Sequence, residues 1–183
     1  MIDLKPACHT MIDLLASVSA EQLGRPTPCA DYTVAGLIDH IAEVSLGFAE
    51  LARGQATGPR PARPSDDLAA VADAVGTLGE AWADPVAWQG VSAPGGLPLP
   101  NETWGKIAFT EMVVHGWDLA AATGHPVDLP EETLRACLDH VAVFVPAAPV
   151  PELWGAAVEV PGDAPLLDRI VAVTGRDPHW TAA

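Results

Sequence analysis

The sequence predicts an all-α protein built as a helical bundle. Apolar residues recur at helical spacing in five segments, and loops rich in proline and glycine separate these segments. No run of residues has the pattern of consecutive strands, and four or five amphipathic helices without strands are typical of a bundle. The 183 residues, 49% of them hydrophobic, are enough for one domain with its own core.

The first two helices are indicated by their apolar stripes. Apolar residues between positions 4 and 18 repeat at helical spacing, and the segment QLGRPTPCADY then forms a connection. Asp31 or Thr33 is expected to cap the second helix, which should run to about Arg53. The stripe of that helix consists of Val34, Leu37, Ile38, Ile41, Ser45 and Phe48.

A linker, RGQATGPRPARPS, precedes the third helix. Ser65, Asp66 and Asp67 are suited to the start of that helix, which should reach Trp82. The next segment, DPVAWQGVSAPGGLPLP, holds four prolines and three glycines, so it cannot be helical throughout. A short hairpin is the regular structure that we expect there.

The fourth and fifth helices have clear ends. The fourth should run from near Asn101 to Gly124, a residue suited to the position just after a helix. Pro130 at the first helical position opens the fifth, which should extend to about Val145. Residues 1–145 are therefore the predicted bundle core of a single domain that spans 1–183.

The tail, residues 146–183, is a proline-rich C-terminal extension. One short helix is expected within it, from about Pro165 to Thr174, and Gly175 should end that helix.

The composition excludes several classes of function. A net charge of −15 with only nine Lys+Arg disfavours binding to nucleic acid or to an anionic membrane surface. No apolar run has membrane-spanning length, and the N-terminus lacks the basic and apolar regions of a signal peptide. Cys8, Cys29 and Cys137 are widely spaced and predict neither a disulfide framework nor a cysteine zinc site. We therefore expect a soluble, cytoplasmic protein.

The fourth helix carries charged groups on an otherwise apolar face. Glu111, His115 and Asp118 fall within one sector of this helix, and burying such groups is costly unless they are paired or bind a metal. Glu111 and His115 are four residues apart, so both side chains can reach one ion. His40, at the edge of the second helix's apolar stripe, is the best candidate for a third ligand. Two histidines and one carboxylate suit Zn²⁺ or another divalent first-row metal such as Ni²⁺.

Other interpretations of these residues stay open at this point. The pair on the fourth helix could be an ordinary surface pair, and His40 a core-edge histidine. Asp118 could orient an imidazole, pair with an arginine or act as a fourth ligand, and His9 could approach the site from the first helix. Cys29 precedes a helix N-terminus, where a thiolate would be stabilised, although a structural role fits it better. A di-iron site is disfavoured, because it needs a Glu-x-x-His pattern on two helices.

Two segments resemble a known family. TPCADYTVAGLIDHIAEV and ETWGKIAFTEMVVHGWDLAAATG are similar to the two signatures of the metal-binding domain of mycothiol-dependent maleylpyruvate isomerases, a branch of the DinB/YfiT-like superfamily. The tail VEVPGDAPLLDRIVAVTGRDPHW resembles the ending of short actinobacterial members. The resemblance implies an up-down-down-up four-helix bundle, with His40, Glu111 and His115 as ligands of a divalent metal, commonly zinc.

The resemblance also implies a class of reaction. Related members use the metal to activate a low-molecular-weight thiol such as mycothiol for isomerisation or S-transfer, and a homodimer is compatible with the family. The isomerase has a further C-terminal domain, whereas only residues 146–183 follow the fifth helix here, so its particular reaction is not transferred. We predict a thiol-dependent transferase or isomerase-like enzyme. The alternatives are a non-catalytic metal- or ligand-binding module and a hydrolase that uses metal-bound water.

Overall fold

The computed structural model describes residues 1–55, 67–149 and 154–182, and these are mostly helical, as predicted. Two short antiparallel strands, β1 (Val91–Ser92) and β2 (Leu99–Pro100), form the expected hairpin between the third and fourth helices. The described helices are α1 (Lys5–Ser17), α2 (Val34–Ala52), α3 (Leu68–Ala81), α4 (Asn101–Thr123), α5 (Glu131–Phe144) and α6 (Leu166–Val173).

The helix ends follow local chemistry. Of the two candidates for the cap of α2, Thr33 takes the role, because its hydroxyl accepts a hydrogen bond from the Gly36 N–H at 3.3 Å. Asp67 caps α3 through the Ala70 N–H at 3.1 Å. Gly124 follows α4 with a φ of 79°, a left-handed conformation that favours glycine.

One predicted helix start is wrong by one residue, and another lies partly outside the described residues. Pro130 was expected at the first helical position of α5, but it lies just before the helix. Its ψ of 141° is extended, and its carbonyl accepts a hydrogen bond from the Leu134 N–H. The linker and start signals at residues 56–66, with Ser65 and Asp66, lie outside the described residues.

The first four helices share one core. Both α1 and α2 pack against α3 and α4, while α5 packs against α4 and α6. Large side chains fill the space between them, and those that are fully buried include Met11, Leu15, Ile38, Ile41, Leu78, Trp82, Phe109, Met112 and Leu119. None of the described helices is both long enough and apolar enough to cross a membrane.

The central helix, α4, differs from the expectation of a single apolar face. It packs against α1, α2, α5 and α6, and every residue from Met112 to Ala120 is buried. Side chains on all sides of the helix are therefore removed from water, including His115 and Asp118. Because buried ionisable groups need partners, the packing of α4 makes its polar residues the chemically informative ones.

Candidate metal centre

Three side chains from two helices meet inside the bundle. The Glu111 Oε2 atom lies 3.2 Å from His40 Nε2 and 3.1 Å from His115 Nε2. The two imidazole rings meet edge to face, with centroids 4.9 Å apart. The structure thus brings together the three residues that the sequence singled out, although their role as metal ligands stays a prediction.

The backbone explains why these atoms converge. Glu111 and His115 lie one turn apart on α4, where side chains four residues apart share a face. His40 lies in the second turn of α2, which packs against α4. The i,i+4 spacing therefore sets two positions, and the contact between the two helices sets the third.

Each imidazole is held on its far side by a second group. The His115 Nδ1 atom is 2.9 Å from Asp118 Oδ2, and the His40 Nδ1 atom is 3.4 Å from the Tyr32 hydroxyl. The ring of Tyr32 also stacks on that of His40, with centroids 5.1 Å apart. The Asp118 carboxylate favours a proton on Nδ1 of His115, so that Nε2, on the side of Glu111, is the nitrogen of that ring that could bind a metal.

Asp118 is held in turn by a residue from the tail. The Arg176 guanidinium donates to both carboxylate oxygens of Asp118, from Nε at 3.3 Å and from Nη2 at 3.1 Å. Its Nη1 donates to the carbonyl of Thr174 at 2.8 Å. Asp118 is fully buried, so this bidentate pair compensates a charge that would otherwise be costly.

The donor set fits a divalent metal. Two imidazole nitrogens and one carboxylate oxygen are ligands that zinc and neighbouring metals accept. Zinc bonds of about 2.0–2.1 Å in tetrahedral geometry place ligand atoms about 3.3 Å apart. The separations of 3.1 and 3.2 Å at Glu111 are close to that spacing.

In the metal-free protein, a protonated His115 links the residues of the cluster through hydrogen bonds. Burial lowers the pKa of His115, but hydrogen bonds to Asp118 and Glu111 outweigh this effect and raise the pKa to about 9. Burial raises the pKa of Glu111, yet hydrogen bonds from His115 and His40 bring it well below its usual range. At neutral pH the metal-free cluster therefore contains an imidazolium between two carboxylates.

The cluster opens into a cavity of about 350 Å³. This volume is in the range of small-molecule sites. Glu111 and both histidines line its polar end together with Cys29, Tyr32 and Arg176, and the remaining wall is mainly aromatic and aliphatic. The cluster of His40, Glu111 and His115 therefore lies beside a space large enough for a small molecule.

Cys29 lies near the cluster in an environment that does not stabilise a thiolate. A nitrogen of His115, a carboxylate oxygen of Asp118 and the Cys29 sulfur all lie within 4.8 Å of one another. Burial raises the pKa of the Cys29 thiol and outweighs the opposing effect of Arg176, so the thiol and not the thiolate is favoured. All three cysteines are unpaired, as predicted.

Two other histidines, His9 and His140, do not join the cluster. His9 is exposed on α1 and belongs to neither candidate metal group among the described residues. It therefore does not approach the site as suggested. His140 is half-buried on α5 and stacks on Phe144, with ring centroids 5.0 Å apart.

Taken together, the fold and the cluster define a helical protein in which two histidines and one glutamate lie close enough together to hold a metal ion. Residues 4–120 match the family model described as the mycothiol maleylpyruvate isomerase N-terminal domain. The chain belongs to this family, which confirms the resemblance found in the sequence.

Relatives and solved structures agree with this assignment. Two uncharacterized proteins of Mycobacterium tuberculosis, from strains CDC 1551 and H37Rv, are each 35% identical over 170 residues, covering 89% of this chain and 90% of each relative. The crystal structure of the mycothiol-dependent maleylpyruvate isomerase is similar with a TM-score of 0.58 and 21% identity, over 76% of this chain and 68% of that one. A mutant of that isomerase gives a TM-score of 0.57 at 19% identity over the same shares. At these identities the structural likeness establishes the fold.

Proposed function

We propose that the protein binds a divalent metal, most readily Zn²⁺, through His40, Glu111 and His115, and that it acts on a low-molecular-weight thiol of the mycothiol type as a transferase or isomerase-like enzyme. The observation that carries this proposal is that the Nε2 atoms of His40 and His115 both lie within 3.2 Å of one Glu111 carboxylate oxygen, beside a cavity. The family of the chain supports the thiol, because its model is that of a mycothiol-dependent isomerase domain.

The surroundings of the cluster favour an open site over a closed structural one. A closed zinc site needs a fourth protein ligand, and Asp118 and His9 were the candidates. The near oxygen of Asp118 is occupied by His115 Nδ1 and Arg176, and His9 is exposed elsewhere. With three ligands and a cavity in front of them, the centre keeps a coordination position for a small molecule.

The chemistry follows from general properties of such centres. A divalent cation lowers the pKa of a coordinated thiol, so that the thiol is deprotonated and nucleophilic at neutral pH. The protein's own groups fix the geometry, with Asp118 orienting His115 and Tyr32 contacting His40. The apolar wall limits the access of water to the same space. We place this activity in the cytoplasm, because three unpaired cysteines suit a reducing compartment.

Metal content tests the site. Elemental analysis of the purified protein should find about one equivalent of a divalent metal per chain, and His115→Ala should lose most of it. His9→Ala is the matched control, because it removes an exposed histidine outside the cluster and should keep the metal. Equal metal content in His115→Ala and the parent protein would defeat the assignment.

Thiol binding tests the activity class. Cobalt-substituted protein should develop a thiolate-to-metal charge-transfer absorption when mycothiol is added, and its holoenzyme should show thiol-dependent turnover. Metal binding without any response to low-molecular-weight thiols would reject the thiol reaction. That outcome would favour a non-catalytic module or a hydrolase.

We also propose that α1 to α4 run up-down-down-up within one domain that includes the tail. The Trp82 indole donates to the Phe48 carbonyl, a contact between the C-terminal ends of α3 and α2 that supports a common direction for them. Lys5 pairs with Glu80, which supports opposite directions for α1 and α3. Packing of α6 on α5 and α4 supports a single domain.

A further inference from the structure

Resting on the proposed function, we infer that the partner substrate of the thiol is a small, uncharged and largely apolar molecule, and not a carboxylate anion. The inference depends on what lines the cavity beyond the metal centre. It also depends on the charge that remains available there.

The wall away from the cluster is apolar and comes from several parts of the chain. Residues from α2, α4, α5, the hairpin and the tail contribute to it. The rings of Phe48 and Trp104 lie 6.2 Å apart and tilted, so they present ring surface without a charged group between them. The principal members of this wall are Phe48, Leu97, Leu99, Trp104, Phe144 and Trp154.

An anionic substrate would find no free cation in the described part of the cavity. Arg176 is the only lysine or arginine among the described residues that line it. Two of its nitrogens bind the Asp118 carboxylate and the third binds the Thr174 carbonyl, and only 8% of the residue is exposed. A carboxylate that entered would lose its water without gaining a paired charge, which is unfavourable.

The metal centre would not supply that charge once the thiol is bound. A dication ligated by the Glu111 carboxylate and by one thiolate has no net charge, and the imidazoles add none. The other ionisable side chains on the described lining are Cys29, Asp31 and Tyr32, and none of them can carry a positive charge. The electrostatic balance of the loaded site therefore favours an uncharged second molecule.

A matched pair of probes tests the inference directly. Binding of 2-naphthalenemethanol and of 2-naphthoate to the zinc-loaded protein is measured by calorimetry with saturating 2-mercaptoethanol. The two probes share one ring system and differ in charge. We expect the alcohol to bind roughly ten-fold or more tightly than the carboxylate.

Two variants of the hairpin region sharpen the test. Leu97→Arg adds a cation to the cavity wall and should tighten naphthoate binding by roughly ten-fold, thereby reducing or reversing the preference. Val91→Arg makes the same charge change at a residue that is 68% exposed and outside the cavity lining, so it should leave the ratio unchanged. Leu99→Lys is the second wall variant if Leu97→Arg fails to fold.

The outcomes separate this inference from the proposed function. Equal or tighter binding of naphthoate by the parent protein would overturn the inference, and so would an equal change of the ratio in Val91→Arg. Metal content and the cobalt–thiolate absorption are measured on the same preparation. A protein that binds the thiol but prefers naphthoate keeps its proposed function and loses only the substrate class. One that prefers the alcohol but binds neither metal nor thiol supports the cavity's selectivity and rejects the proposed function.

Discussion

Replacing Asp118 with asparagine tests whether the buried carboxylate orients a metal ligand. Asp118 accepts hydrogen bonds from His115 Nδ1 at 2.9 Å and from two nitrogens of Arg176 at 3.1 and 3.3 Å. An asparagine has one acceptor oxygen, and its amide group would face a donor on one side or the other. Loss of such an outer partner typically lowers metal affinity about 10- to 100-fold, or about 1.4–2.8 kcal/mol.

The same substitution should also destabilise the metal-free protein, for a separate reason. It leaves the Arg176 guanidinium buried without a counter-charge, and breaking a buried pair in this way costs about 3–5 kcal/mol. Adding Arg176→Met removes the unpaired charge. The double variant should therefore recover most of the stability while its metal affinity stays low.

The two effects are measured separately. Competition with a chromogenic chelator gives the zinc affinity, and urea unfolding of the metal-free protein gives the free energy of unfolding. Glu102→Gln is the matched control, because it neutralises an exposed carboxylate on the same helix that pairs with Lys106. Its effect on stability should be about 0–1 kcal/mol, with no change in affinity.

Two results would refute the reasoning. Zinc affinity at the parent level in Asp118→Asn would show that the carboxylate does not orient His115 for the metal. Recovery of affinity together with stability in the double variant would show that weakened folding, and not a misplaced imidazole, had lowered the affinity.

Three further predictions concern packing, thiol reactivity and protons. Gly105→Ala should destabilise the protein by about 1–3 kcal/mol in urea unfolding, because its Cβ would lie 2.7 Å from a buried indole ring. Gly76→Ala, whose Cβ would meet nothing closer than 3.9 Å, should stabilise it by up to about 1 kcal/mol; the reverse order would contradict the packing. In the native protein a thiol reagent should modify Cys29, which lines the cavity, well before Cys8, where burial raises the pKa to about 12; equal rates would refute this. Because the pKa of His115 is about 9 without metal, zinc binding at pH 7 should release about one proton from it, and less as the pH rises past 9. Calorimetry in buffers of different ionisation enthalpy measures this release, and its absence at pH 7 would contradict the protonated cluster.

The fold could be predicted from local signals because helix ends are chemically marked. Thr33, Asp67 and Gly124 end or begin their helices as their side chains or backbone conformations require. The burial of α4 by several neighbouring helices could not be predicted from such local signals. Four other helices contact α4, and its stretch from Met112 to Ala120 is buried on every side, so the pattern there no longer indicates a single core-facing stripe.

The residues of the candidate site likewise form two groups. Some are recognised from their spacing within a helix, and others are brought to the site by the fold. Glu111 and His115 are found by their i,i+4 spacing, and His40 by its position at the edge of an apolar stripe. No comparable signal marks Arg176, which is 58 residues from the carboxylate it binds and lies in a tail with the pattern of an extension. Tyr32 was also missed, because a residue that precedes a helix is not part of the periodic apolar pattern of that helix.

Arg176 matters because it completes a row of alternating charges. The row runs from the guanidinium through Asp118 to His115 and on to Glu111, all of it within the bundle. In the metal-free protein a proton on His115 supplies the positive charge between the two carboxylates. A divalent cation bound to Nε2 would take over that position, while Asp118 keeps the proton on Nδ1. The same packing can therefore accommodate the protonated and the metal-bound cluster, which explains how a bundle of apolar helices tolerates the buried Asp118 and the largely buried Glu111.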